Sequence, residues 1–479
     1  VRRLALVPLL IAFAAAGCSD ERHRDLIRAT VDVARPPTFT RPDKDGRRVW
    51  AATQSFYRSI EFAPVWVKRD RPTTRMESLL SAIDTVDRDG LDPALYDTTF
   101  LRRDGAERKL PNRFPSAAAG EIDVRLTYLY MQLAADLADG VSDLAHADRA
   151  WRIQPETFDP ANHLTKALAG GGIADSLEAL KPATAEYRAL RNLLAEYRSA
   201  KPGVASSSDD RRDERIRQIA LNLERWRWVP RTRGARHIVV NIPAFRLDGW
   251  EDNRSVLSMR VVVGKKDTRT PIFNDEMTHL VFSPYWNVPP TIAVEETLPS
   301  IMRDPSFLAR TNMEVLDGRG RIVDPSDIDP ERPEAYRFRQ RPGSDNSLGL
   351  VKFMFPNEYN VYLHDTPADS LFARASRSFS HGCVRVEDPQ ALAEYVLKDQ
   401  PEWTRERIVE AMHAGDERTV TLRQSIPVYI GYWTVDVAPD GRIEFKPDVY
   451  GLDARQSAAL TARLATLRAS TQLVSRANP

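Results

Sequence analysis

Apolar residues recur at helical spacing through the first two hundred positions. Met76, Leu79, Leu80, Ile83 and Val86 share one face and stop before Gly90, a residue suited to a left-handed C-terminal cap. Leu126, Leu129, Tyr130, Leu133 and Leu137 repeat the stripe and run into Gly140, and Tyr187, Leu190, Leu194 and Tyr197 make a third. The pattern predicts a helical domain over 46–200 with these stripes as its core. Lys201 to Asp213, with Pro202-Gly203 and three consecutive serines, breaks it and predicts a linker over 201–214. One more amphipathic helix follows (Ile216, Ile219, Ala220, Leu223) and ends in Glu224-Arg225-Trp226-Arg227-Trp228.

Beyond Gly234 the period changes to two. His237 to Ile242, Val256 to Val263, Leu280 to Phe282, Leu350 to Phe355 and Asn360 to Leu363 are strand-like, bounded by Gly, Pro, Asn or Asp. They predict a mainly β domain over 215–425. Glu296 to Asp345, rich in Arg, Asp and Pro, predicts an inserted cap with a short helix near Ser300 to Ala309. Helices are expected at Pro389–Leu397 and Trp403–Met412, then strands and a tail over 426–479. The fold class is α+β and multidomain.

A chain of 479 residues exceeds what one hydrophobic core fills, in keeping with two or more domains. Lys+Arg 68 against Asp+Glu 67 leaves a net charge of +1, and with no long basic run nucleic acid is not an expected partner. Arg2-Arg3 followed by the apolar Leu4 to Ala16 reads as a targeting segment. At about 1.5 Å rise per residue it is too short to cross a hydrocarbon core of about 30 Å. Ala15-Ala16-Gly17-Cys18 resembles a bacterial lipobox, which implies removal of residues 1–17, lipidation of Cys18 and a membrane anchor. Ser19 favours the outer membrane. Residues 18–45, polar and charged, are expected as a tether.

The chain has two cysteines. With Cys18 lipidated, Cys383 has no partner, and a lone exported thiol is either inert or kept for reactivity. It lies in Ser380-His381-Gly382-Cys383-Val384-Arg385, and His364 stands 19 residues upstream. Thiol, base, glycine and cation are the parts of a cysteine acyl-transfer site. Either His381 or His364 fits the base, and spacing alone does not choose. A zinc site from His364, Asp365, His381 and Cys383 lacks any Cys-x-x-Cys or His-Glu-x-x-His spacing, so neither metal nor cofactor is expected.

His364, fifteen residues and Ser380-His381-Gly382-Cys383-Val384-Arg385 together resemble the active-site signature of the L,D-transpeptidases (YkuD-type catalytic domain), which remodel bacterial peptidoglycan. Ala63-Pro64-Val65-Trp66, Asp89-Gly90-Leu91-Asp92-Pro93, Lys352-Phe353-Met354-Phe355-Pro356-Asn357 and Tyr362-Leu363-His364-Asp365-Thr366-Pro367 are similar to the large members with a helical scaffold domain. Those members usually insert a small peptidoglycan-binding module where this chain has only Lys201 to Asp213. The resemblance implies Cys383 as nucleophile, His364 as general base and acid, and His381 as an orienting group. Gly382, Arg385, Arg377, Ser380 and Tyr362 are implied as oxyanion or substrate-binding residues. The implied reaction joins peptidoglycan tetrapeptide stems in the periplasm, with release of D-alanine. Hydrolysis of stems, attachment of a lipoprotein lysine, or an inactive wall-binding scaffold are the alternatives. The sequence does not indicate an oligomeric state.

Overall fold

The computed structural model describes residues 21–101, 110–142, 151–153, 156–199, 206–304 and 306–477. The targeting segment and Cys18 lie outside them. The chain divides into two units: 1–149 with 154–231 and 452–479, and 150–153 with 232–451. Among the described residues no helix is long and apolar enough to cross a membrane.

The first unit is helical. Its centre is the Ala119–Asp139 helix, of whose 21 residues 18 are buried, so that it is packed on nearly every side. Lys44–Ser59, Thr74–Ile83 and Pro160–Lys166 surround it. The Thr74–Ile83 stripe ends as expected, with Gly90 left-handed (φ 74°) after a 3-10 turn over Val86–Asp89. Charges buried here are closed by partners. Asp123 accepts from the backbone N–H groups of Val65, Trp66 and Val67 at 2.9, 2.8 and 2.8 Å and from the Tyr57 hydroxyl at 2.7 Å. Arg41 grips Asp136 through two bonds of 3.1 and 2.7 Å, and Tyr96 donates to the same carboxylate at 2.7 Å.

Three expectations fail in this unit. Residues 21–31 are helical rather than a free tether, because Ile27 and Val31, one turn apart, are fully buried in its core. The expected linker is helical from Ser206, as part of Ser206–Arg227. The expected C-terminal tail holds a 26-residue helix, Leu452–Ala477, which belongs to this unit. Its Arg463 pairs with Asp45 at 2.6 Å and Asp43 at 3.0 Å.

The second unit is built on strands β1 (Arg236–Asn241), β2 (Arg246–Glu251), β3 (Arg254–Gly264), β4 (Phe273–Phe282), β5 (Trp286–Asn287), β6 (Met313–Leu316), β7 (Arg337–Gln340), β8 (Val351–Met354), β9 (Leu363–His364), β10 (Ser378–Ser380), β11 (Val384–Val386) and β12 (Arg418–Gly431). The large sheet runs β10-β3-β11-β9-β8-β4-β12-β1-β2, and β2 pairs back onto β3. Eight strands therefore close into a barrel, with β10 lying beside β3. Helices Pro389–Val396 and Arg405–His413 follow β11.

The insertion is a subdomain with its own core. Strands β5, β7 and β6 form a separate sheet, and Val288, Ala293, Leu298, Ile301, Leu308, Val315, Ile328 and Phe338 pack together. It starts at Trp286, earlier than the sequence pattern suggests, because β5 is only two residues long. The expected short helix is split into Leu298–Arg303 and Phe307–Arg310.

Candidate active site

Strand β9 is two residues long and held on both sides. Its pairing with β8 is antiparallel, Lys352 facing His364 and Phe353 facing Leu363. Its pairing with β11 is parallel, Leu363 facing Val384 and His364 facing Arg385. Leu363, Phe353 and Val384 are fully buried and make the apolar face. Strand alternation then puts Lys352, His364 and Arg385 in a row on the other face. Tyr362 and Cys383, each two residues before a member of the row, share that face. Val384 N–H donates to the Tyr362 carbonyl at 3.1 Å, which fixes the register, and the Tyr362 and His364 rings lie 5.7 Å apart.

The half-buried thiol of Cys383 points at the Asn360 carbonyl, 3.8 Å away. Asn360 is left-handed (φ 53°), and the preceding turn is braced by Asn357, whose amide donates to the Phe355 and Val361 carbonyls at 2.6 and 2.7 Å. Burial pushes the thiol up from its ordinary value. The backbone N–H and hydroxyl of Tyr362 and the Arg385 guanidinium pull it partly back. For the same reason the Tyr362 hydroxyl is held well above its usual range, by burial first and then by the neighbouring sulfur.

His364 is pushed down to about 3, by burial first and then by Arg385, with the Asp365 carbonyl opposing. Its Nδ1 lies 2.5 Å from that carbonyl. A carbonyl only accepts, so Nδ1 carries the proton and Nε2 keeps its lone pair. Asp365 is itself fixed: its carboxylate accepts from Leu350 N–H at 2.8 Å and Thr366 N–H at 2.7 Å. Gly349 (φ +61°) leaves room for it, since a Cβ there would collide with that carboxylate. At neutral pH the site thus holds a neutral thiol and, on the same face, a neutral imidazole whose Nε2 is unprotonated.

The turn before Cys383 is held from within and from the side. Ser380 Oγ accepts from Gly382 N–H at 3.1 Å and donates to the Cys383 carbonyl at 2.5 Å. Thr270 Oγ1 donates to the Gly382 carbonyl at 2.8 Å and Thr268 Oγ1 to the Ser380 carbonyl at 3.1 Å. Gly382 has φ +122°, which a side chain would strain. His381 faces outward, its Nε2 2.9 Å from Glu296 Oε1 of the inserted subdomain.

Four of the expected residues thus converge on one face: Cys383, His364, Tyr362 and Arg385. Ser380, Gly382 and His381 form the adjoining turn. Arg377 is engaged elsewhere, donating to the carbonyls of Val261 at 3.2 Å, Arg374 at 2.7 Å and Phe245 at 3.2 Å, and stacking on the Phe245 ring at 5.2 Å. That is a backbone clamp rather than a free guanidinium for substrate. Arg385 differs, with its Nε buried and unpartnered. Lys352, Asn357, Asn360, Thr270 and Glu296 were not foreseen as site residues. The Lys352-to-Asn357 block and the Pro-Asn-x-x-Asn turn signal at 356–360 were the sequence hints. Among the described residues no group of three His, Cys, Asp or Glu side chains converges as a metal site.

Residues 235–428 match the family model of the L,D-transpeptidase catalytic domain (YkuD), and residues 51–194 that of a scaffold domain. A Haemophilus influenzae protein assigned as an L,D-transpeptidase is 30% identical over 334 residues, a match spanning 69% of this chain and 65% of that protein. Solved L,D-transpeptidases of Mycobacterium smegmatis and Mycobacterium tuberculosis are 15% and 13% identical, with TM-scores of 0.20 and 0.16. Each covers 41% of this chain, and the matches span 58% and 60% of those chains. The chain therefore carries a YkuD-type L,D-transpeptidase catalytic domain at 235–428 and a scaffold domain at 51–194, and its match spans 65% of the length of the Haemophilus influenzae relative.

Proposed function

We propose that this protein cross-links peptidoglycan through a thioester on Cys383, acting on tetrapeptide stems from a lipid anchor at Cys18 on the periplasmic face of a membrane. The observation that carries the reading is the shared face of Cys383, at the entry to β11, and His364 on the neighbouring β9, with His364 held in the tautomer that leaves Nε2 unprotonated.

The thiol proton passes to His364 Nε2 as sulfur attacks the carbonyl of the L-centre of diaminopimelate. Arg385 and the Tyr362 N–H and hydroxyl stabilise the thiolate as it forms. Gly382 N–H is already taken by Ser380, so the Cys383 N–H is left to meet the oxyanion. The carbon–nitrogen bond breaks, His364 returns its proton to the departing D-alanine amine, and the thioester remains. The side-chain amine of a second stem then attacks, loses a proton to His364 and frees the thiol. Burial favours the neutral resting pair, so the charged pair forms only when an acceptor carbonyl is in place.

The test is incubation with purified tetrapeptide muropeptides, with intact mass and product separation as readouts. The expected result is an adduct on Cys383 and cross-linked dimers, both absent in Cys383→Ala. Tripeptide alone would mean that water resolves the thioester and the enzyme is an L,D-carboxypeptidase. No adduct at all would refute acyl transfer and leave a wall-binding scaffold.

A further inference from the structure

Lys352 and Arg385 flank His364 on the two neighbouring strands, and all three side chains leave the sheet on one face. Both cations are more than half buried. Burial lowers both from their ordinary values. Neither makes a hydrogen bond or ion pair among the described residues, and Arg385 Nε is buried without any partner. Glu417 is the carboxylate felt by Lys352, but its oxygen is bonded to the Tyr285 N–H at 2.8 Å and it lies beyond ion-pair distance. Uncompensated buried cations are costly, and such groups in a folded protein call for a ligand.

The order of the row identifies that ligand. Sulfur stands at the entry to β11 and Arg385 on it, the imidazole on β9 and Lys352 on β8. Acyl carbon, departing nitrogen and the carboxylate of the departing residue follow the same order along a stem. With the acyl carbon on Cys383 and the departing nitrogen over His364 Nε2, the terminal carboxylate comes one Cα further on, toward β8. We infer that Lys352 binds the free carboxylate of the departing D-amino acid, and so restricts the donor to stems that end at that residue. This rests on the acyl-transfer reading above. Arg385 serves the other end, where the thiolate and acyl group sit.

The discriminating experiment compares two small donors with the full-length protein: a tetrapeptide stem with a free C-terminal carboxylate and the same stem as its C-terminal amide. Release of the last residue and the Cys383 adduct are followed for both. The wild type is expected to prefer the acid by about 30-fold or more in kcat/KM, as for loss of one charge-assisted bond. Lys352→Met is expected to bring that ratio to about one by slowing the acid alone, and Lys352→Arg, which keeps the charge, to restore most of it. Iodoacetamide alkylation of Cys383 in Lys352→Met reports whether the site is still assembled. An acid preference unchanged in Lys352→Met, with the adduct still forming, overturns the Lys352 assignment alone. A wild type that forms no adduct with either donor overturns the acyl-transfer reading, and this inference falls with it.

Discussion

The core of the helical unit and the thiol face of the barrel treat buried charge in opposite ways. In the first, Asp123 meets three N–H groups and a hydroxyl, and Arg41, Asp136 and Tyr96 close on one another. Arg227 closes likewise on Glu224 at 2.6 Å, and Glu224 also receives Ser142 N–H and Oγ. In the barrel, Arg385 stands unpaired beside a thiol whose proton is held more tightly than usual, and Lys352 is unpaired two strands away. A satisfied buried charge is architecture: removing one member costs stability and changes no chemistry. An unsatisfied one is destabilising at rest and is relieved only by what binds there. The balance of pairing, more than the number of charges, separates the helical core from the face that carries the thiol.

Substitutions on the two sides should therefore fail in different assays. The largest effect is expected from His364→Ala, about a thousandfold loss in donor turnover with little change in thermal melting. His381→Ala, outward-facing and paired to Glu296, should lose far less, and the reverse order would exchange their roles. Next comes Asp123→Ala, which orphans three backbone donors and should cost about 3–5 kcal/mol in urea unfolding. Cys383 alkylation in the molecules still folded should be unchanged, and a parallel loss there would erase the contrast. Arg385→Met should act through pH. Arg385 holds His364 low and helps hold the thiol down, so without it both rise. A higher imidazole value moves the acid-side loss of turnover upward, toward the ordinary histidine range near 6.5. A higher thiol value moves alkylation to more alkaline pH. A thiol made a tenfold weaker acid keeps about a tenth of its thiolate at pH 7 and is alkylated correspondingly more slowly. A superimposable pH profile would remove Arg385 from the site. The smallest effect, about threefold in turnover of polymeric wall, is expected from Glu296→Gln, measured against an unchanged rate on a small soluble donor.

The sequence was readable where one residue type carries the meaning. A lone thiol behind Ser-His-Gly, and a histidine at the end of a short strand, point to their own chemistry, and the structure sets them on one face. The period-two pattern also announced most barrel strands. In the ring it missed β2, where Arg246–Glu251 carries Asp, Gly and Glu, and β11, which is too short to show a period, as are β5, β6, β7 and β10 outside the ring. The supposed tether misled because its polar composition hid Ile27 and Val31, whose burial depends on partners distant in sequence. Arg377 and Arg385 look alike in sequence. Only their surroundings distinguish a backbone clamp from an unpaired guanidinium, and those surroundings are set by how strands pair. Lys352 was unreadable for the same reason, since its place beside His364 follows from the β8–β9 register.

That register has a further consequence through the closure of the sheet. Sliding β9 by one residue would turn Leu363 outward and His364 inward, and would exchange the imidazole for a methyl group. In an open sheet such a slip needs only one edge to yield. Here β9 lies within a ring of eight strands, so a slip on either side must be passed from neighbour to neighbour until it returns to its start. The alignment of imidazole, thiol and cations is in this sense a property of the loop of pairings as a whole. Two residues are enough for the strand that carries His364 because the barrel, not the strand, counts the residues.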